Sequence, residues 1–291
     1  MSNAKAFTLR IFVVDGDPDG LRVVDRTNWN GKALVFPRTL LPAVKQRSEF
    51  VQTGVYLLIG PRQDGEGDML YVGEGDPVRP RFENHYAQKD FWTRGVFFVS
   101  TDGQLNKAHV QFLESQLIQR ARAAKRMPLD NANSPTIPTL SESDRSYVEV
   151  FLDHMLEILP VLGVHAFETV TAATALTVHV PLICKGKGVT GHGYESTQGF
   201  VVKAGSEAVA NEVPSMRQSA PGTYELRQDL KKNGVLAVLG DHFVFTQDYP
   251  FSSPSMAADI LFGSSVNGRT IWKDASGRTL KELQEKQAKA L

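Results

Sequence analysis

Five polar side chains in the first half of the chain have the types and spacing of a hydrolytic site. Tyr56 closes Gly54-Val55-Tyr56, Tyr71 opens Tyr71-Val72-Gly73, Arg81 and His85 follow four residues apart, and Glu114 comes later. Hydrolysis of a phosphodiester needs in-line attack by water, stabilisation of the extra negative charge on phosphorus, and help for the leaving oxygen. A hydroxyl can sit beside the water. A guanidinium offers a planar fork of donors to the phosphate, an imidazole titrates near neutrality, and a carboxylate can hold a divalent metal.

The elements that must position these groups can be read from hydrophobic pattern. Gly54 to Gly60 and Met69 to Gly73 are compact apolar runs on either side of the polar stretch 61–68, the pattern of a hairpin. After Gly73 the chain turns helical, with Asp76-Pro77 or Pro80 supplying the start, and either choice places Arg81 and His85 on one face. Phe91-Trp92 and Gly95 to Ser100 make a third strand. Leu105, Ala108, Phe112, Leu113 and Leu117 then recur at helical spacing, with Glu114 at the border of that stripe.

Residues 51–135 resemble the GIY-YIG nuclease family, through the order and spacing of these fragments. The resemblance implies an α+β domain with a small three-stranded sheet flanked by helices. It also implies that the protein is a metal-dependent endonuclease, with DNA favoured over RNA as its partner. By the same carry-over Tyr56 is the general-base candidate with Tyr71 beside it, Arg81 holds the scissile phosphate with Arg79 as second choice, and Glu114 binds Mg2+ or Mn2+. Asn131 is the nearest match to the polar residue that completes the family's site, and Asn133 is the alternative. Many relatives carry a lysine directly after the second motif where this chain has Glu74, which shifts the proton-transfer task towards the metal or His85.

Composition bounds the rest. The chain has 291 residues, 42% of them hydrophobic, enough for a sizeable core and more than one domain. Its 32 basic residues balance 32 acidic ones, so any phosphate-binding surface must be local. Arg120, Arg122, Lys125 and Arg126 form the best such cluster, readable equally as a solvated helix end, and Lys185 to Gly188 a second. No run reaches the about eighteen apolar residues of a membrane helix, and the first residues lack the apolar stretch of a signal peptide, so a cytoplasmic protein with no membrane partner is expected. The sole cysteine, Cys184, reads as a small buried hydrophobe.

The remaining organisation is expected to be an N-terminal extension over 1–50 packed on the nuclease, the nuclease-like domain over 51–140, a helix and connector over 141–190, and a second α+β domain over 191–291. Strand-forming residues 7–14, a short strand and a helix near Leu41 to Phe50 would make up the extension. Ser141 opens a helix whose apolar face runs from Val148 to Leu159, and residues 175–180 read as strand-like. In the second domain, strands are expected near 199–203 and 235–244 and helices near 224–232 and 253–262. Residues 250–273 resemble a C-terminal domain of unknown function often fused to GIY-YIG nucleases and, less closely, a restriction-enzyme- and adenine-methylase-associated domain. There the start of a helix at Ser253 and the indole of Trp272 would contact nucleic acid, or Ser253 caps, Asn267-Gly268 turns and Trp272 fills the core. Three functional classes follow: a nuclease, a non-catalytic nucleic-acid-binding protein on the same fold, and a nuclease delivered to a protein assembly. A homo-oligomer is compatible with all three, since a single site needs two copies or two visits to cut both strands.

Overall fold

The computed structural model describes residues 6–62, 67–133, 135–168, 179–197 and 199–290. The protein is α+β and divides into two compact units, Met1–Thr169 and Val170–Leu291.

The first unit is built on an antiparallel sheet of β1 (Leu9–Val13), β2 (Arg22–Arg26), β3 (Gly31–Pro37), β4 (Gly54–Pro61), β5 (Asp68–Gly75) and β6 (Arg94–Ser100), in the order β1-β2-β3-β6-β4-β5. Helices α1 (Leu41–Val44), α2 (Arg79–Gln88), α3 (Lys107–Ala124) and α4 (Glu142–Ile158) accompany it. The central strands are apolar on both faces because both are covered. Val55, Leu57, Ile59, Leu70 and Val72 join α3 and α4 side chains in one core, while Tyr56, Leu58, Phe97 and Val99 join Phe50, Val78, Phe82 and Trp92 in the other. Full burial of aromatic side chains such as Phe82 stabilises by about 1.5–3 kcal/mol each. Alternation along β4 therefore sends Tyr56 to the α2 side and its neighbours to the α3 side.

Asn106 caps α3 by accepting from the His109 N–H (3.0 Å), and Ser141 caps α4 by accepting from the Asp144 N–H (3.1 Å). Lys125 takes a left-handed conformation (φ 52°) that ends α3.

The sheet has six strands where three were expected. β3 pairs with β6 along its whole length, from Gly31 opposite Ser100 to Pro37 opposite Arg94, so residues 9–37 continue the sheet instead of packing on it as an extension. The helix expected near Leu41 to Phe50 is confined to Leu41–Val44, and 3-10 turns cover Arg38–Leu40 and Ser48–Val51. The helix expected from Ser141 is present as α4 and belongs to this unit, with Val148, Phe151, Leu152 and Met155 in its hydrophobic core.

The second unit holds β7 (Leu182–Gly186), β8 (Val189–Ser196), β9 (Gly199–Val202), β10 (Glu207–Val209), β11 (Leu236–Leu239), β12 (His242–Phe245) and β13 (Tyr249–Phe251). Its helices are α5 (Met216–Ser219), α6 (Pro221–Lys232), α7 (Pro254–Phe262), α8 (Gly268–Ile271) and α9 (Leu280–Ala290). The strands form two antiparallel sheets, β13-β9-β8-β7 and β10-β12-β11. β7 and β8 are a hairpin, so a domain boundary at residue 190 would cut it; the division falls earlier, between residues 169 and 170. The single strand expected over 235–244 is likewise a hairpin, folded at Gly240 (φ 63°). Of the strand-like stretch 175–180, residues 175–178 lie outside the described residues. Among the described residues no helix is long and apolar enough to cross a membrane.

Candidate functional site

Strand β5 lies at the edge of the six-stranded sheet, and α2 and α3 both pack against it. Its alternation distributes the polar groups: Tyr71 and Gly73 share the α2 side with Tyr56, which lies opposite Gly73 in the ladder, whereas Glu74 faces α3. Gly73 is required by close approach. A Cβ there would lie 2.4 Å from the Tyr56 hydroxyl oxygen, so the glycine of the second motif makes room for the tyrosine of the first.

On α2, Phe82 and His85 are buried and Arg81 is exposed. The Tyr56 hydroxyl lies 2.8 Å from His85 Nε2. Burial, with Lys89 and Arg81 nearby, pulls the His85 imidazole down to about 4. The ring is therefore neutral at pH 7, and its Nε2 shares this hydrogen bond with the Tyr56 hydroxyl, as acceptor in the tautomer that carries its proton on Nδ1. Its Nδ1 is buried with no hydrogen-bond partner. Tyr71 stacks edge-on against His85 at 4.8 Å, and Lys89 Nζ sits over the Tyr71 ring at 4.6 Å while bonded to Asp130 (2.5 Å).

Burial raises both phenols well above their ordinary value. For Tyr56 the charge of Tyr71 adds to burial, and Glu114 and Glu74 push the same way against Arg81; for Tyr71, Glu114 is the next contributor after burial and Arg81 again opposes. Glu114 itself is pushed up to about 7, by burial first and then by Glu74, with Arg81 and Lys107 opposing. Tyr56, Tyr71, Arg81, His85 and Glu114 thus occupy one electrostatic neighbourhood.

Glu74 is buried, and Lys107 of α3 grips both its carboxylate oxygens, at 2.6 and 2.7 Å. A lysine amine therefore stands beside the second motif, delivered from α3 instead of from the following position. Lys107, Lys89 and Asp130 were missed by sequence reasoning. The available signal for Lys107 was its place two helical turns before Glu114 on the same face.

Glu114 is the carboxylate a cation would fit. It is half-buried, has no hydrogen bond or ion pair among the described residues, and holds its proton up to about pH 7 because of burial and the nearby Glu74. Among the described residues no three His, Cys, Asp or Glu side chains are grouped for a metal, so the fit is that of one carboxylate completed by water and substrate oxygens.

The other expected site residues have different surroundings. Asn131 accepts from the Val72 N–H (2.9 Å) and donates to the Val72 carbonyl (2.7 Å), so its carboxamide extends the edge of β5 and has no end free for a phosphate. Leu129 bridges Leu70 beside it. Arg122 donates to the Asn131 and Asn133 carbonyls, and Arg126 pairs with Glu168 (2.5 Å), so these two secure local structure; Arg120 is exposed and Lys125 is half-buried at the helix end. Arg79 is half-buried with its Nε unpartnered. A cleft of about 590 Å³ lined by Arg62, Met69, Gln88, Lys89, Phe91 and Asp130 opens next to Tyr71's side of the sheet.

In the second unit Trp272 is fully buried, stacks on Phe200 at 4.5 Å, and donates its indole N–H to the Pro254 carbonyl (3.0 Å). Ser253 caps α7 through the Met256 N–H, and Asn267 accepts from the Arg269 N–H. These three are structural, and base stacking by Trp272 is excluded by its burial. Cys184 is buried with its thiol pushed up to about 12 by burial, consistent with a packing role.

Residues 182–284 match the family described as a domain of unknown function (DUF4357), a span running from β7 into α9. The segment 250–273 lies inside that match. No curated protein and no solved structure matches the chain.

Proposed function

We propose that the first unit is a GIY-YIG-type, metal-dependent endonuclease, with DNA as the substrate that the resemblance implies, and that the second unit holds or selects the nucleic acid. The observation that carries this reading is the convergence of Tyr56, Tyr71, Arg81, His85 and Glu114 at one edge strand, with Glu114 making no hydrogen bond or ion pair among the described residues.

In this reading Arg81, exposed at the start of α2, holds the scissile phosphate and opposes its growing charge. Glu114 would hold a divalent ion, which supplies Lewis-acid stabilisation of the phosphate and leaving oxygens. Making free phenolate at Tyr56 would cost more than the about 4 kcal/mol of an ordinary tyrosine at pH 7, because burial raises its pKa. The 2.8 Å contact gives that proton a route to His85, whose imidazole, pulled down to about 4, would become a competent base once the negative charge of a phosphate enters the site. Tyr56 passes its proton to His85 Nε2 as it takes one from water, so no isolated phenolate forms. The new P–O bond would form as the P–O bond to the leaving strand breaks, the leaving oxygen taking a proton from solvent water and His85 returning its proton to solvent.

Incubation of plasmid, single-stranded DNA and RNA with the protein and Mg2+ or Mn2+ tests the reading, beside Arg81→Ala and Tyr56→Phe. Cleavage that both variants lose supports it. The second reading, a non-catalytic binding platform, is favoured by the burial that keeps Tyr56 protonated; tight binding without products would establish it instead.

A further inference from the structure

The second unit contains a cleft that no part of the proposed chemistry uses. It has a volume of about 590 Å³ and is lined by Ile183, Lys185, Thr270, Ile271, Lys273 and Asp274, among others. Its architecture follows from edge-strand pairing. β7 is the outer strand of its sheet, and Ile183 and Lys273 exchange both backbone hydrogen bonds, at 2.8 and 2.9 Å. Directly opposed residues of an antiparallel pair project to the same face, and so does the residue two positions along. Ile183, Lys185 and Lys273 therefore share the outer face, while Leu182, Cys184 and Trp272 fill the core behind them.

The charge of this face is lopsided. Asp274 is the only acid lining the cleft, and its carboxylate is consumed by Arg278 Nε (2.8 Å) and Nη2 (2.6 Å) and by the backbone N–H groups of Ser276 and Arg278. Among the described residues neither Lys185 nor Lys273 has a hydrogen bond or ion pair for its amine, and both are exposed. Two cations with no hydrogen-bonded acid thus stand over an apolar floor of Ile183 and Ile271, with Glu282 of α9 near enough to Lys273 to feel its charge. Diagonal neighbours across such a pair lie about 7–8 Å apart, comparable to the step between successive phosphates of a strand.

We propose that this cleft binds the sugar–phosphate backbone of a nucleic-acid strand, with Lys185 and Lys273 each contacting one phosphate. The assignment rests on the nucleic-acid reading above and gives the second unit a specific contact surface within it. It places recognition by charge on the outer face of β7, away from Ser253 and Trp272, whose polar atoms are spent on the fold.

Fluorescence anisotropy of labelled duplex and single-stranded oligonucleotides, with the full-length chain across a salt series, tests it. Lys185→Ala/Lys273→Ala is compared with wild type and with Lys203→Ala, which lies past the end of β9, two strands from β7. Loss of two phosphate contacts should make the slope of log K against log salt shallower by about 1.8 for duplex or about 1.4 for single-stranded DNA, and Lys203→Ala should leave it at the wild-type value. Unchanged slopes in the double variant, with wild type binding normally, would overturn the cleft assignment while leaving the nuclease reading intact. An equal change in Lys203→Ala would overturn it too, by showing a diffuse charge effect. The expected slope change in a chain that binds but does not cut would sustain the cleft and sink the nuclease reading. All the substituted lysines are exposed, and an unchanged thermal unfolding midpoint confirms that each variant is folded.

Discussion

Buried Arg227 in the second unit and Glu114 in the first are provided for in opposite ways. In the second, Arg227 is fully buried yet satisfied: its guanidinium donates to Glu212 (2.8 Å) and to the carbonyls of Ile260 and Val209, and Glu212 also takes Lys231, which with its other hydrogen bonds brings its carboxyl down to about 2 despite burial. Asp259 accepts from the Val266 N–H, and Asp274 is saturated by Arg278 and the adjacent backbone. Among the described residues of the first unit, Glu114 makes no ion pair and feels Arg81 and Lys107 only at a distance, His85 keeps a buried nitrogen without a partner, and two phenols crowd the same edge. Satisfied burial serves the fold. Unsatisfied burial stores a demand for a partner, and in the function proposed above a divalent cation with a phosphate diester would meet it.

That contrast can be broken first at Arg227. Removing one partner of a buried pair strands the other, so Arg227→Met should destabilise the second unit by about 3–5 kcal/mol. Calorimetry should show that unit's transition moving down while the first unit's remains; equal loss in both would contradict the division of roles.

At the catalytic edge the equivalent structural perturbation is smaller but more disabling. Gly73→Ala puts a methyl group against the Tyr56 ring and should lower stability by about 1–3 kcal/mol while abolishing cleavage. Full activity would mean that the placement of Tyr56 is irrelevant.

Lys107→Met strands the buried Glu74 and should cost about 1–3 kcal/mol, measurable by chemical denaturation. No change would show that the Glu74 carboxylate finds its charge balance elsewhere.

The smallest expected effect is pH-dependent. Glu114, at about 7 against an ordinary 4.5, contributes stability that is fully present below pH 4.5 and is lost as pH rises through 7. His85, at about 4 against 6.5, works in the opposite sense: its contribution is present above pH 6.5 and is lost as pH falls through 4. Without divalent ions, Glu114→Gln should therefore gain about 1–2 kcal/mol over wild type at pH 8 and little at pH 4, less than full linkage because the carboxylate is only partly buried. Added Mg2+ should stabilise wild type at pH 8 but not the variant. Denaturation midpoints at the two pH values measure both effects, and equal midpoints at pH 8 would remove the evidence for an uncompensated charge.

Much of the candidate site's scaffold was legible in the sequence because it depends on local periodicity. The spacing of Arg81 and His85 placed them on one helix face, and the two compact apolar runs around the polar loop marked the β4–β5 hairpin that carries Tyr56 and Tyr71. Ser141 and the apolar stripe from Val148 likewise specified α4. What stayed hidden was long-range. The pairing of β3 with β6 enlarged the sheet through contacts between residues some sixty positions apart, and no local pattern encodes that register. Asn131 looked like a site residue because its type and position fit, but its carboxamide is spent on Val72. Lys107 was overlooked because its role comes through Glu74, a residue on a different element.

The most direct measurement is the single-turnover cleavage rate of a labelled DNA duplex in Mg2+ or Mn2+, for wild type and Glu114→Gln, with folding of both verified. The account predicts products from wild type that disappear on chelation and a rate at least about 100-fold lower in the variant. Equal rates in the two proteins, cleavage that survives chelation, or no cleavage by folded wild type would contradict it.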